Sequence, residues 1–116
     1  MLLHQCFSTS CGVSRFSPFF LKSCLIIPCY NEAHRLNREA VEEFLQSTPT
    51  IDLMMVDDSS VDSTAKVLEA LKSTSSSRLH VLCLASNQGK AEAVRAGVRA
   101  VLALNRFDVV GYCDAD

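Results

Sequence analysis

Four short apolar runs, each separated from the next by a stretch of helical periodicity, restrict what this chain can fold into. Leu25, Ile26 and Ile27 run unbroken up to Pro28, and the residues at 51–56, 79–84 and 109–113 repeat the pattern. Runs this short read as strands; the first, apolar without alternation, reads as one buried on both faces. Between the first two, Leu36, Ala40, Val41, Phe44 and Leu45 recur at helical spacing, with Glu39, Glu42 and Glu43 on the opposite side. That helix stops near 47–49. Asp62 or Ser63 can cap a second helix carrying Ala65, Val67, Leu68 and Leu71, which gives way to a flexible serine-rich loop at 73–77. A third helix runs through Ala91, Val94, Val98, Val101 and Leu102. Crossovers of this length exclude hairpins, so the fold class expected is α/β, a parallel sheet with helices on both faces.

Such a sheet has one chemically privileged edge. Right-handed crossovers put the carboxyl ends of the strands together, and ligands bind outside that edge. It collects residues 28–32, 57–60, 87–90 and 114–116, a set rich in Asp, Asn and Glu. Asp114 and Asp116 follow the apolar residues Val109, Val110 and Tyr112. On an extended chain they point the same way with Cα atoms roughly 6.6 Å apart, close enough to share one ion. Their oxygens suit Mg²⁺ or Mn²⁺, which keeps water and substrate phosphates in its shell. The plainer reading of the pair is a solvated acidic turn. Lys90 opens a helix, where free N–H groups and the helix dipole favour a phosphate, or it is a solvated helix-start lysine. Asn31 is a turn former, an N-cap or a ligand, and His34 and Arg35 read as surface residues.

Bulk properties exclude several classes. A chain of 116 residues, 48% hydrophobic and 21% charged, holds one small domain. A net charge of −2 without a basic stripe argues against a nucleic-acid partner. The six cysteines, Cys6, Cys11, Cys24, Cys29, Cys83 and Cys113, include no CxxC pair and read as buried reduced thiols. Residues 1–23 lack Asp and Glu and read as a poorly ordered leader, leaving 24–116 as the domain. The apolar stretch from 16 to 30 is interrupted by Pro18, Lys22 and Pro28, short of the ~20 residues that cross a bilayer. No transmembrane helix is expected.

Familiar nucleotide fingerprints are missing. No GxGxxG follows the first strand, and Gly89-Lys90 lacks both the upstream glycine and the trailing Ser or Thr of a P-loop. What remains is a nucleotide-type sheet with acids after strands two and four, one suited to a base or ribose and the other to a metal on a diphosphate. A nucleotide-sugar fits both. Four runs then carry a resemblance: Ile-Ile-Pro-Cys-Tyr-Asn-Glu at 26–32, Val-Asp-Asp-Ser-Ser-Val-Asp-Ser-Thr at 56–64, Asn-Gln-Gly-Lys-Ala at 87–91 and Asp-Ala-Asp at 114–116. In this order and spacing they resemble the N-terminal half of a family 2 inverting glycosyltransferase of the GT-A, Rossmann-like fold. The nearest branch is that of dolichyl-phosphate and other polyprenyl-phosphate glycosyltransferases.

The resemblance implies roles. Pro28, Tyr30 and Glu32 would line the nucleotide pocket, Asp58 would bind the base with Asp57 beside it, and Asp114 would contact the ribose and help with the metal that Asp116 coordinates. Lys90 would face phosphate. The implied cofactor is Mg²⁺ or Mn²⁺, and the donor a UDP- or GDP-sugar. A lipid-phosphate acceptor would bring the protein to the cytoplasmic face of a membrane as a peripheral partner, with a cytoplasmic location otherwise. In the family the catalytic base and the acceptor elements lie downstream of the Asp-x-Asp motif, so the chain is expected to be truncated after that motif and poorly active. The sheet edge at the fourth strand would then stand uncovered. The alternative is an inactive nucleotide-binding or interaction module. A nucleotidyltransferase is a third reading, weakened by the absence of a glycine-rich loop after the first strand.

Overall fold

The computed structural model describes residues 21–75 and 77–114 of the chain. Seven elements alternate: β1 (Ser23–Cys29), α1 (Arg38–Ser47), β2 (Ile51–Asp57), α2 (Thr64–Thr74), β3 (Leu79–Cys83), α3 (Lys90–Leu104) and β4 (Val109–Tyr112). All pairings are parallel and the strand order is β3-β2-β1-β4. The chain therefore reverses its direction of growth after β3, crossing from one edge of the sheet to the other through α3. Carboxyl ends of all four strands share one edge, as the alternation requires.

The period of two along the strands divides the core. Leu25, Ile27, Leu53, Met55 and Leu79 meet α1 and α2 through Val41, Phe44, Leu45, Leu68 and Leu71. Cys24, Ile26, Met54 and Val56 face α3 through Ala93 and Val101. Because β1 and β2 are central and covered on both sides, nearly every residue in them is buried, which is why they read as largely apolar runs, Asp52 being the buried exception inside β2. Gly97 permits the closest approach on the α3 side. A Cβ there would lie 2.7 Å from Cγ2 of Ile26, so any side chain would push the helix off the sheet.

Local chemistry sets the helix ends. Asn37 caps α1 by accepting from the Ala40 N–H at 3.1 Å. Leu36 before it and Val41 after it belong to the same cluster, the N′ and N4 positions of a hydrophobic staple. At α2 the cap position falls on Ser63, whose side chain makes no cap bond, while Asp62 accepts from the Thr64 N–H at 2.9 Å. The helix also extends through Ser73 and Thr74, further than its serine-rich sequence suggested. Both hydroxyls donate back to the carbonyl of Ala70, so they follow the helix instead of leaving it.

Two further expectations shift. The sheet begins at Ser23, whose N–H donates to the carbonyl of Thr50, and the Lys22 N–H donates to Oδ2 of Asp108 at 2.9 Å. The last residues of the segment set aside as a leader are thus tied to the domain; residues 1–20 lie outside the described residues. Among the described cysteines Cys24 and Cys29 are buried and Cys113 is intermediate. Cys83 corrects the expectation of burial: it ends the edge strand β3, joins neither core cluster and is exposed. Among the described residues no helix is long and apolar enough to cross a membrane. β4 is the other edge strand, with Val109 and Tyr112 exposed.

Candidate functional site

At the carboxyl edge, the first strand stops for a backbone reason. Alternate residues of a parallel strand direct their peptide groups to alternate neighbours, and the Cys113 N–H bonds the carbonyl of Ile26 while the Asp58 N–H bonds that of Cys29. Position 28 is the next that would donate towards β4. Proline has no N–H, so the β1–β4 ladder ends there and Asp114 emerges beyond it.

The three loops at this edge are bonded to one another. Asn31, in the left-handed region at φ 53°, accepts from the Val61 N–H at 3.0 Å, and its own N–H donates to Oγ of Ser60 at 2.9 Å. Asn31 is therefore a turn former that joins the β1–α1 loop to the β2–α2 loop. The Glu32 N–H donates to Oγ1 of Thr64 at 2.9 Å, and that hydroxyl donates in turn to Asp62, a bond that holds the Asp62 carboxyl below its ordinary range. Asp57 and Asp58 are both buried and do different work. Asp57 accepts from the N–H and hydroxyl of Ser60, closing its own turn. Asp58 reaches across to the β3–α3 loop, its Oδ1 accepting from the Gln88 N–H at 2.8 Å and its Oδ2 from the Gly89 N–H at 2.9 Å.

These connections enclose an open cleft of about 480 Å³. Of the residues singled out in the sequence, Pro28, Tyr30, Glu32, Asp58, Lys90 and Asp114 line it; Asp57 does not, and Asp116 lies outside the described residues. Cys29, Asn87 and Gly89 complete the lining. They belong to segments already expected at this edge, and their polar or small character offered no sign of which would face the cleft. Lys90, from the first turn of α3, forms an ion pair with Asp114 across the mouth, both side chains about half exposed. His34 and Arg35 are exposed as expected, Arg35 lying 3.6 Å from Oε1 of Glu32. Oε2 of Glu32 is buried and has no hydrogen-bond partner among the described residues. A buried acceptor without a partner is uncommon and destabilising.

Two features limit the chemistry available. Burial, and then the negative charges of Glu32 and Asp57, push the Cys29 thiol up to about 12, so it stays a neutral lining group and not a nucleophile. Among the described residues no group of three or more His, Cys, Asp or Glu is arranged to hold a metal. The donor set does suit a hard cation held in part by its ligand: Asp114 offers one accessible carboxylate, and Mg²⁺ takes one or two carboxylates with phosphate oxygens and water completing the shell.

With this geometry in place, comparison with known proteins identifies the class. The profile of Glycosyl transferase family 2 matches residues 24–116, and the chain belongs to that family. The uncharacterized protein MJ0544 of Methanocaldococcus jannaschii is 31% identical over 91 residues, 78% of this chain and 38% of its own length. The minor teichoic acid biosynthesis protein GgaA of Bacillus subtilis is 29% identical over 96 residues, 79% of this chain and 21% of its own length. The chain thus spans well under half of the curated relatives it matches. Among solved structures, the mannosyltransferase PcManGT from Pyrobaculum calidifontis, in complex with GDP-Man and Mn²⁺, superposes with a TM-score of 0.68 at 23% identity, covering 85% of this chain and 29% of the other. TarS 1–349 of S. aureus in complex with UDP-GlcNAc gives a TM-score of 0.61 at 24% identity, covering 83% and 27%. At these identities the likeness is one of fold.

Proposed function

We propose that residues 24–116 form the donor-binding part of a metal-dependent glycosyltransferase that moves a sugar from a UDP- or GDP-sugar to an acceptor with inversion. The observation that carries the reading is the convergence of six anticipated residues, from all four strand ends, on one cleft. Membership of the family and the nucleotide-sugars held by the two fold relatives support it. In this reading Pro28, Tyr30 and Glu32 surround the nucleoside, Asp58 underlies the base with Asp57 beside it closing the turn, Lys90 meets the diphosphate, and Asp114 with Asp116 holds Mg²⁺ or Mn²⁺. The ion, when bound, supplies charge neutralisation for the departing nucleoside diphosphate. The chain's own contribution is to orient the donor and keep water off its buried face. A polyprenyl phosphate such as dolichyl phosphate is the proposed acceptor class, reached at the cytoplasmic face of a membrane, because an anionic acceptor needs little help from a base.

The competing reading is an inactive nucleotide-binding module. Titration of the protein with UDP and GDP, with and without Mn²⁺, followed by transfer assays with UDP-glucose and GDP-mannose, separates the two. Binding with transfer supports the enzyme; binding without transfer supports the module; no binding of either nucleotide refutes both. Asp116→Asn should remove most of the Mn²⁺ enhancement of UDP or GDP binding and leave metal-free uridine or guanosine binding nearly intact, because an amide keeps the shape but loses the charge that draws a hard cation.

A further inference from the structure

Asp58 is only 4% exposed, yet it belongs to the lining of the cleft. Each of its carboxylate oxygens is already engaged by a backbone N–H of the β3–α3 loop, Gln88 on one and Gly89 on the other. A third bond runs the same way, from Nδ2 of Asn87 to the carbonyl of Asp58 at 3.1 Å. Neighbouring backbone adds the Leu84 N–H on the carbonyl of Asp57. Gly89, held by this carboxylate, is the N-cap of α3 at φ 94°, a conformation favouring glycine, and Lys90 follows it directly. Bonds from backbone N–H groups to a charged acceptor are among the stronger hydrogen bonds. The loop therefore has its shape held from the end of β2 as well as by its own residues, Gly89 among them.

We infer that Asp58 is a positioning residue for the diphosphate side of the cleft: its carboxylate clamps residues 87–89 and so fixes where Lys90 and the first turn of α3 meet the ligand. The inference rests on the nucleotide reading above and deepens it. A residue that touched only the base would affect nucleoside and nucleoside diphosphate alike. A clamp on the loop acts further on the diphosphate.

The test uses the full protein, with UDP and uridine, and GDP and guanosine, as calorimetric probes. Wild type must first bind a nucleotide; failure there refutes the nucleotide reading, while amide exchange still tests the clamp. In Asp58→Asn one oxygen becomes an NH₂ facing a backbone N–H, so the Gln88 and Gly89 amides should exchange about tenfold faster or more, the loss of one charged hydrogen bond. Diphosphate affinity should fall roughly fivefold more than nucleoside affinity, and this extra loss should shrink to under about twofold when Lys90→Met is already present, because the two changes act on one contact. Equal losses for nucleoside and diphosphate, additivity with Lys90→Met, or unchanged amide exchange would each overturn the inference. If Asp58→Asn does not fold, Asn87→Ala carries the test: it cuts the third bond and leaves the carboxylate in place. It should raise exchange at Gly89 and weaken diphosphate more than nucleoside, and no change in either is the negative result.

Discussion

The two edges of the sheet draw on the same kinds of side chain and differ in where the bonds of those side chains end. At the amino edge, the guanidinium of Arg78 donates to the carbonyls of Leu45, Thr48 and Ile51, closing the end of α1 onto the start of β2. Beside it the buried Asp52 pairs with His80 at 3.0 Å, and Lys22 and Arg106 each lie over the ring of Phe107. Polar groups there are turned inward on the protein. At the carboxyl edge the loops are bonded to one another, but charge on the cleft stays accessible: Lys90 and Asp114 meet in a half-exposed pair. Asp52, 2% exposed, and Ser75 also each have a buried oxygen without a partner among the described residues, and neither lines the cleft, so an unpaired atom alone does not mark the site. Charge inventory alone does not mark a site; accessible, incompletely bonded charge does.

That contrast is broken if the amino edge turns out to be dispensable for stability. Arg78→Met keeps the stem and removes the donors, and should lower unfolding stability by about 3 kcal/mol, since three carbonyls lose a charged partner. Denaturant unfolding measures it, and a loss below 1 kcal/mol would make the edge ornamental. His80→Leu comes next, at about 2 to 3 kcal/mol, because it strands a buried carboxylate, discounted here for the partly exposed imidazole. Replacing both partners, Asp52→Leu with His80→Leu, should recover most of that loss. A double variant as unstable as the single one would mean that packing, and not the unpaired charge, sets the effect.

The carboxyl edge should respond in the opposite currency. Lys90→Met should change stability by no more than about 0.5 kcal/mol, because an exposed ion pair contributes little and a positive charge at a helix N-terminus is unfavourable. UDP or GDP affinity should nevertheless fall roughly tenfold, with uridine or guanosine unaffected. A Lys90→Met protein that melts early and binds normally would reverse the comparison between the edges.

Strand order aside, the sheet was largely legible, for an identifiable reason. Burial on both faces leaves β1 and β2 with almost no polar positions, so their limits are written as changes of composition, and the acids that follow them mark the edge. Bond partners were not legible. Asp57 and Asp58 are adjacent and identical, yet one closes a turn three residues on and the other holds amides 30 and 31 residues away. Nothing local distinguishes them, because side chains at successive strand positions leave opposite faces and meet different loops. Cys83 was misjudged in a similar way: an apolar run shows that a strand exists, not that it lies at an edge. The last two residues of α2, Ser73 and Thr74, were hidden because serine and threonine favour loops only where their hydroxyls do not bond back to the helix.

The smallest effect concerns strain at the carboxyl edge. Asn31 and Ser59 share the left-handed conformation, at φ 53° and 56°, on neighbouring loops. They differ in compensation. Asn31 holds the Val61 N–H with its side chain, whereas among the described residues no hydrogen bond involves the Ser59 hydroxyl. For an L-residue this conformation costs roughly 1 kcal/mol or more, and glycine escapes that cost but loses more chain entropy on folding. Ser59→Gly should therefore be slightly stabilising, by about 0.5 kcal/mol, or roughly 2 to 4 °C in Tm for a domain of this size. Asn31→Gly should destabilise by about 1 kcal/mol, because relief of the backbone is outweighed by the lost hydrogen bond across the loops. The same dihedral with opposite signs of response would show that the site edge tolerates uncompensated strain at Ser59 while tying Asn31 in place. If both glycine variants are destabilised equally, the strain at Ser59 is offset by a contact that the hydrogen-bond pattern does not reveal, and the carboxyl edge is as self-satisfied as the amino edge.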